Sequence, residues 1–164
     1  MSFLKNLFGG KKEETKEVLV TVSNGELVKI SEVPDEVFSS KMMGDGFAQK
    51  TSDGVVVSPV DGKVVTIFPT KHALTMLSKG GMEILIHLGV DTVNLKGEGF
   101  ETLVCEGQEV RAGEELVKMD IDFINENAKS SMPIIVFTNL AEDKSVQVFE
   151  GTVKLGESGK IEIN

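Results

Sequence analysis

Two histidines, His72 and His87, bracket the stretch HALTMLSKGGMEILIH, and the chain has no others. Imidazole is the side chain that changes charge near neutral pH, and in its neutral form one ring nitrogen is free to bind metal or attack phosphorus. A lone histidine in a strand is usually an inert, hydrogen-bonded packing residue. A pair is different, because the residues on either side of SKGG are strand formers and can fold into a hairpin. If Lys79 and Gly80 are the two central turn residues, His72 faces His87, Leu74 faces Leu85 and Met76 faces Glu83. Opposed residues share a face, with Cβ atoms about 4.5–5.5 Å apart. A turn centred on Gly80 and Gly81 makes the histidines diagonal neighbours, still on one face. A loop one residue longer breaks that parity. On this reading Leu74, Met76 and Leu85 lie with the histidines, while Ala73, Thr75, Ile84 and Ile86 take the other face. Both faces are apolar, so one is core and the other an apolar interaction surface.

Two imidazoles held together keep each other neutral, since a second positive charge is disfavoured. His87 is therefore expected to act as a nucleophile or ligand on an apolar docking surface. Several chemistries compete for it. A catalytic zinc usually takes three protein ligands, which would add a carboxylate such as Asp91, but no HxH or HExxH spacing is present. SPVDGKVV and GQEVRAGEELVKM echo biotinyl and lipoyl carrier domains, yet Lys118 falls within a strand-like run rather than at a hairpin turn. A pure interaction module with surface-filling histidines is a third alternative. No GxxxxGK[ST] loop occurs, which argues against ATP as a phosphoryl donor.

The elements that would hold these residues read as short β runs cut by turns. EVLVTV, ELVKI, FAQK, VVVSPV, KVVTIF and ETLV precede the glycine-broken EGQEVRAGEELVKMDI, and SMPIIVFTN, SVQVFEGTVKLG and KIEIN close the chain. SEVPDEVFSSKMM reads as a loop. One helix is expected at Asp122–Lys129, capped by Asp122. The fold class is all-β, an antiparallel β-sandwich or barrel with one or two short helices.

Composition narrows the partners. With 40% apolar and 26% charged residues the chain has an ordinary globular composition. A net charge of −9 disfavours nucleic acid and suits partners with basic docking faces. The single cysteine, Cys105, cannot form an internal disulfide. No signal peptide and no run near the ~18 apolar residues of a spanning helix is visible, so a cytoplasmic, soluble protein is expected. Residues 1–16 stand apart from the domain expected over 17–164. Phe3, Leu4, Leu7 and Phe8 fall on one helical face, followed by Gly9, Gly10, Lys11 and Lys12. This segment is either a disordered arm or an amphipathic helix that forms at an anionic lipid surface, giving peripheral contact with the membrane's inner face through residues 2–10.

IHLGVDTVNLKGEGF, together with SPVDGKVVTIFPTKHA, GQEVRAGEELVKMDI and AKSSMPIIVFTN, resembles the glucose-class enzyme IIA component of the bacterial phosphoenolpyruvate-dependent sugar phosphotransferase system. The resemblance runs from about Glu17 to near the carboxyl end. It implies a phosphotransferase component that accepts a phosphoryl group from HPr and passes it to a sugar-specific IIB domain of a separate IIB/IIC permease. It implies His87 as the phosphorylated residue through Nε2, and His72 as the second active-site histidine. Thr70 matches a threonine hydrogen-bonded into the site, Asp91 an adjacent acid and Gly89 a glycine that leaves room by the imidazole. Phe38, Met42, Met43, Phe68, Leu85 and Leu88 match an apolar partner-docking ring. No cofactor is required. The resemblance also allows regulatory protein partners and a zinc ion held by His72 and His87 with a partner's carboxylate. A monomer is expected.

Overall fold

The computed structural model describes residues 17–164, so the arm expected over residues 1–16 lies outside the described residues. The first strands are β1 (Gly25–Lys29), β2 (Asp45–Thr51), β3 (Val55–Val57), β4 (Gly62–Ile67), β5 (Ala73–Ser78) and β6 (Glu83–Val90). Then come β7 (Phe100–Thr102), β8 (Glu109–Val110), β9 (Glu115–Met119), β10 (Ser130–Phe137), β11 (Val146–Val148), β12 (Gly151–Val153) and β13 (Ile161–Ile163). Among the described residues two α-helices, α1 (Glu36–Ser39) and α2 (Ile121–Asn127), and two short 3-10 turns interrupt them.

The fold is the expected antiparallel β-sandwich. Eight strands form one sheet in the order β12-β1-β2-β10-β6-β5-β4-β8, facing a three-stranded sheet β3-β9-β7, with β11 and β13 as a separate pair. Strand side chains alternate between faces, and the large sheet buries both. Leu27, Phe47, Leu74, Met76, Ile84, Ile86, Leu88, Ile135 and Phe137 fill the main core between the sheets. Val28, Ala48, Ala73, Leu85, Ile134 and Val136 form a second apolar cluster on the opposite face, roofed by Phe38. Fully burying a side chain of this size contributes roughly 1.5–3 kcal/mol.

Several local expectations change. EVLVTV is not a strand. Its backbone is satisfied by scattered partners: Val20 N–H donates to the Pro59 carbonyl and Val22 N–H to the fully buried Gln49 amide oxygen, while Val20 makes one isolated bridge with Ser158. The later helix starts earlier than expected, at Ile121, because Asp120 rather than Asp122 caps it by accepting from Phe123 N–H. The loop SEVPDEVFSSKMM holds a one-turn helix, α1, whose cap is Asp35 accepting from Val37 N–H.

The β5–β6 hairpin departs in register. Ala73 rather than His72 lies opposite His87, and Leu74 lies opposite Ile86. Ser78 and Met82 close the loop, with Ser78 N–H donating to the Met82 carbonyl, Gly81 N–H to the Ser78 carbonyl, and Gly81 at φ +97°. The turn therefore has three residues, the last left-handed, and this is the one-residue-longer loop that reverses facing parity. Leu74 and Met76 point into the main core with Ile84 and Ile86, whereas Ala73 and Leu85 share the face of His87.

Candidate functional site

His87 sits on β6 with its ring half-buried on the outer face of the large sheet. Its Nδ1 lies 2.7 Å from the Gly89 carbonyl oxygen. A carbonyl only accepts, so in the neutral ring the proton resides on Nδ1 and Nε2 carries the free lone pair. Gly89 reaches this position at φ +92°, the conformation glycine favours, and the ladder to β10 shifts register there. A Cβ at Gly89 would press on the Ser130 carbonyl and lie 2.7 Å from Thr92 Cγ2. The glycine thus makes room against Ser130 and Thr92, and its carbonyl is what meets the imidazole.

His72 arrives by another route than the expected hairpin pairing. It precedes β5, in the turn that follows β4, directly after Lys71 in a left-handed conformation (φ +59°). This irregular turn brings its ring to 5.2 Å from that of His87, edge-on at 82°. The backbones are joined as well, since Leu88 N–H donates to the His72 carbonyl at 2.7 Å. The Thr70 hydroxyl lies 2.6 Å from His72 Nδ1. With that hydroxyl as donor, the His72 proton resides on Nε2 and makes it a hydrogen-bond donor.

Aromatic rings enclose the pair. Phe38, 6% exposed, packs its ring 4.8 Å from His87, and Phe68 lies 5.5 Å edge-on from His72. Burial lowers the pKa of His72 below the usual histidine value. Burial is also the main cause lowering that of His87, and the His72 charge acts the same way; the Gly89 hydrogen bond, Asp35 and Asp91 oppose it without reversing it. Both rings are thus held towards the neutral form.

The expected docking ring is only partly assembled. Met42, Met43 and Phe68 are exposed, and Phe38 and Leu85 are buried on the histidine face. Leu88 is a correction: it is 0% exposed in the main core, as strand alternation requires of the residue next to His87. Asp91 is exposed and left-handed (φ +62°), close enough for its charge to act on His87. Asp35 was not anticipated; its place before the short helix EVFS is the N-cap signal that could have found it. Lys118 lies mid-strand in β9, opposite Val55 and Glu101, away from any hairpin turn. Among the described residues no group of three or more His, Cys, Asp or Glu side chains is arranged to hold a metal ion. The histidine pair supplies two ligands at most. Among the described residues no helix is long and apolar enough to cross a membrane.

Residues 17–143 match the family model described as phosphoenolpyruvate-dependent sugar phosphotransferase system, EIIA 1. A PTS system glucose-specific EIIA component of Staphylococcus aureus is 45% identical over 161 residues, covering 97% of both chains. Its counterpart in Staphylococcus epidermidis is 43% identical over 162 residues, again covering 97% of each. Among solved structures, the glucose permease IIA from Mycoplasma capricolum superimposes with a TM-score of 0.84 at 40% identity, over 90% of this chain and 96% of that one. With paired histidines on a sandwich of this shape and identity at this level over nearly its whole length, the chain belongs to the EIIA 1 family of the phosphoenolpyruvate-dependent sugar phosphotransferase system.

Proposed function

We propose that this protein is a phosphoryl carrier that accepts a phosphoryl group from phospho-HPr on His87 Nε2 and passes it to a glucose-type IIB domain during sugar uptake. The observation that carries the reading is the Nδ1 contact to Gly89, which directs the free lone pair of His87 to Nε2 beside a second imidazole. In the first step a bond forms between Nε2 and phosphorus as the donor's bond to phosphorus breaks; in the second the acceptor attacks and Nε2 leaves. The Nδ1 proton stays on the ring in both. His72 Nε2–H, set by Thr70, hydrogen-bonds the phosphoryl oxygens where charge develops, the main resource in such transfers. Phe38 and Phe68 exclude water while partners are docked. Met42, Met43 and Phe68 offer the apolar contact. Asp35 and Asp91 add an acidic rim suited to basic faces on HPr and the IIB domain.

The glucose-specific names of the relatives favour a glucose-type permease as acceptor. On this reading the protein works in the cytoplasm as a monomer, with regulatory proteins able to dock on the same face. A zinc ion fits as a secondary ligand there only if a partner's carboxylate joins His72 and His87.

Intact mass after incubation with phosphoenolpyruvate and the general phosphotransfer proteins tests the proposal. One acid-labile phosphoryl group should appear, and His87→Ala should abolish it with the fold retained. Phosphate persisting on that variant, or mapped to His72 in the wild type, overturns the assignment. A lysine adduct would point to a carrier arm, and no change to an interaction module.

A further inference from the structure

We infer that Thr92 is a positioning residue for phosphoryl transfer, its hydroxyl fixing the Gly89 carbonyl against His87 Nδ1 and thereby the tautomer of the reacting ring. The inference rests on the reading of His87 as phosphoryl acceptor. Thr92 is 0% exposed, and its Oγ1 donates to the Leu88 carbonyl at 2.7 Å. The N–H of the same residue, Leu88, donates to the His72 carbonyl at 2.7 Å. Both polar groups of Leu88 are thus held, one by the turn bearing the second histidine and one by Thr92. The Leu88 carbonyl belongs to the peptide plane that leads into Gly89, so a rotation of that plane swings Gly89 and carries its own carbonyl off Nδ1.

The segment needs such a clamp. Gly89 and Asp91 are both left-handed, at φ +92° and +62°. Glycine takes such a conformation freely, but Asp91 does not, and a left-handed non-glycine residue persists only where neighbouring contacts over-determine it. Lys129 N–H holds the Val90 carbonyl at 3.2 Å from the far side. On the near side the clamp is the Thr92 hydroxyl, with the Thr92 methyl filling the space a Gly89 Cβ would need. The Thr92 hydroxyl is spent on the Leu88 carbonyl rather than on either imidazole, so it acts through the peptide. If the Gly89 carbonyl drifts, the ring proton is free to move to Nε2 and the nucleophilic lone pair is lost from the side facing the partner.

Thr92→Val keeps the shape and deletes the donor, whereas Thr92→Ser keeps the donor and deletes the methyl. Imidazole nitrogen NMR of the unphosphorylated protein reads the tautomer directly, with His87→Gln to assign the ring. Wild type should show the Nδ1–H form. Thr92→Val should show a mixed population and transfer about tenfold more slowly, the scale seen when a group that orients a reactive ligand is removed. Thr92→Ser should recover the wild-type tautomer and most of the rate even if its melting temperature falls. Melting temperatures that drop in both variants with tautomer and rate unchanged would reduce Thr92 to packing. If Thr92→Val does not fold, an altered tautomer in Thr92→Ser overturns the inference by itself, and an unaltered one with retained rate supports it. A wild-type protein that accepts no phosphoryl group would sink the carrier reading, while the tautomer spectra still decide the role of Thr92.

Discussion

Replacing Phe38 by alanine perturbs the site in two ways whose signs can be worked out. Phe38 is 6% exposed, belongs to the second apolar cluster and packs 4.8 Å from the His87 ring. Truncating a buried phenylalanine costs about 3–5 kcal/mol. Phe38 lies on a helix of only four residues, which can settle into the gap, so the cost should fall near ~3 kcal/mol. For a chain of this length that lowers the melting temperature by roughly 6–12 °C. The second effect is electrostatic. Burial is the main cause holding the His87 pKa below 6.5, so admitting water should raise it towards that value. In the wild type the folded pKa lies below the unfolded one, so the unfolded chain binds more protons as pH falls below about 6.5. The stability associated with neutral His87 is complete above that pH and is lost as pH falls towards the folded pKa. The variant loses less, so its deficit relative to wild type should narrow on acidification. Urea unfolding at about pH 8 and about pH 5, with an NMR titration of His87, measures both. A deficit that does not change between the two pH values, or a His87 pKa that falls further, would refute the view that Phe38 desolvates the imidazole.

Gly89→Ala should destabilise by at least ~2 kcal/mol, since left-handed strain adds to pressure on the Ser130 carbonyl, whereas Gly81→Ala, with open space around it, should cost only about 1–2 kcal/mol. Thermal melts of the two variants compare them; equal losses would mean the close approach at Gly89 is unimportant. His72→Ala should leave His87 phosphorylatable but slow transfer in both directions by about 10²–10³, and His72→Gln should recover part of it. Rapid-quench rates equal to wild type in both would remove His72 from the mechanism.

The sandwich, the helix near residue 121 and the neighbourhood of the two histidines could be read from alternation and turn residues because those signals are local. The facing of His72 could not. It depended on whether SKGG made a two- or a three-residue loop, and Gly81 in a left-handed position decided for three. The pair then met by a route the pattern does not encode, through a left-handed Lys71 in the turn after β4. Leu88 was assigned to the docking ring by likeness, although its adjacency to His87 already sends it to the opposite face. EVLVTV looked like a strand because its composition suits one. A distant glutamine, Gln49, takes up part of its backbone instead, and no local pattern announces such a partner.

The pairing of β1 with the distant β12 bears on the order of assembly. β1 lies between β2 and β12, and just before it Thr21 N–H donates to the Glu157 carbonyl and Gly156 N–H to the Thr21 carbonyl. Val20 bridges to Ser158. During synthesis the segment before β1 emerges well ahead of these partners, since Thr21 and Glu157 are 136 residues apart. β1 can pair early with β2, but its other edge stays open until β12 arrives, an exposed template for pairing with other chains. Loop closure over such separations is entropically costly and slow relative to local hairpins. β5 and β6, joined by a three-residue turn, can form long before that closure. The hairpin next to both histidines is therefore an early element, and the seam joining β1 and the residues before it to β12 and residues 156–158 is the late step at which folding competes with aggregation.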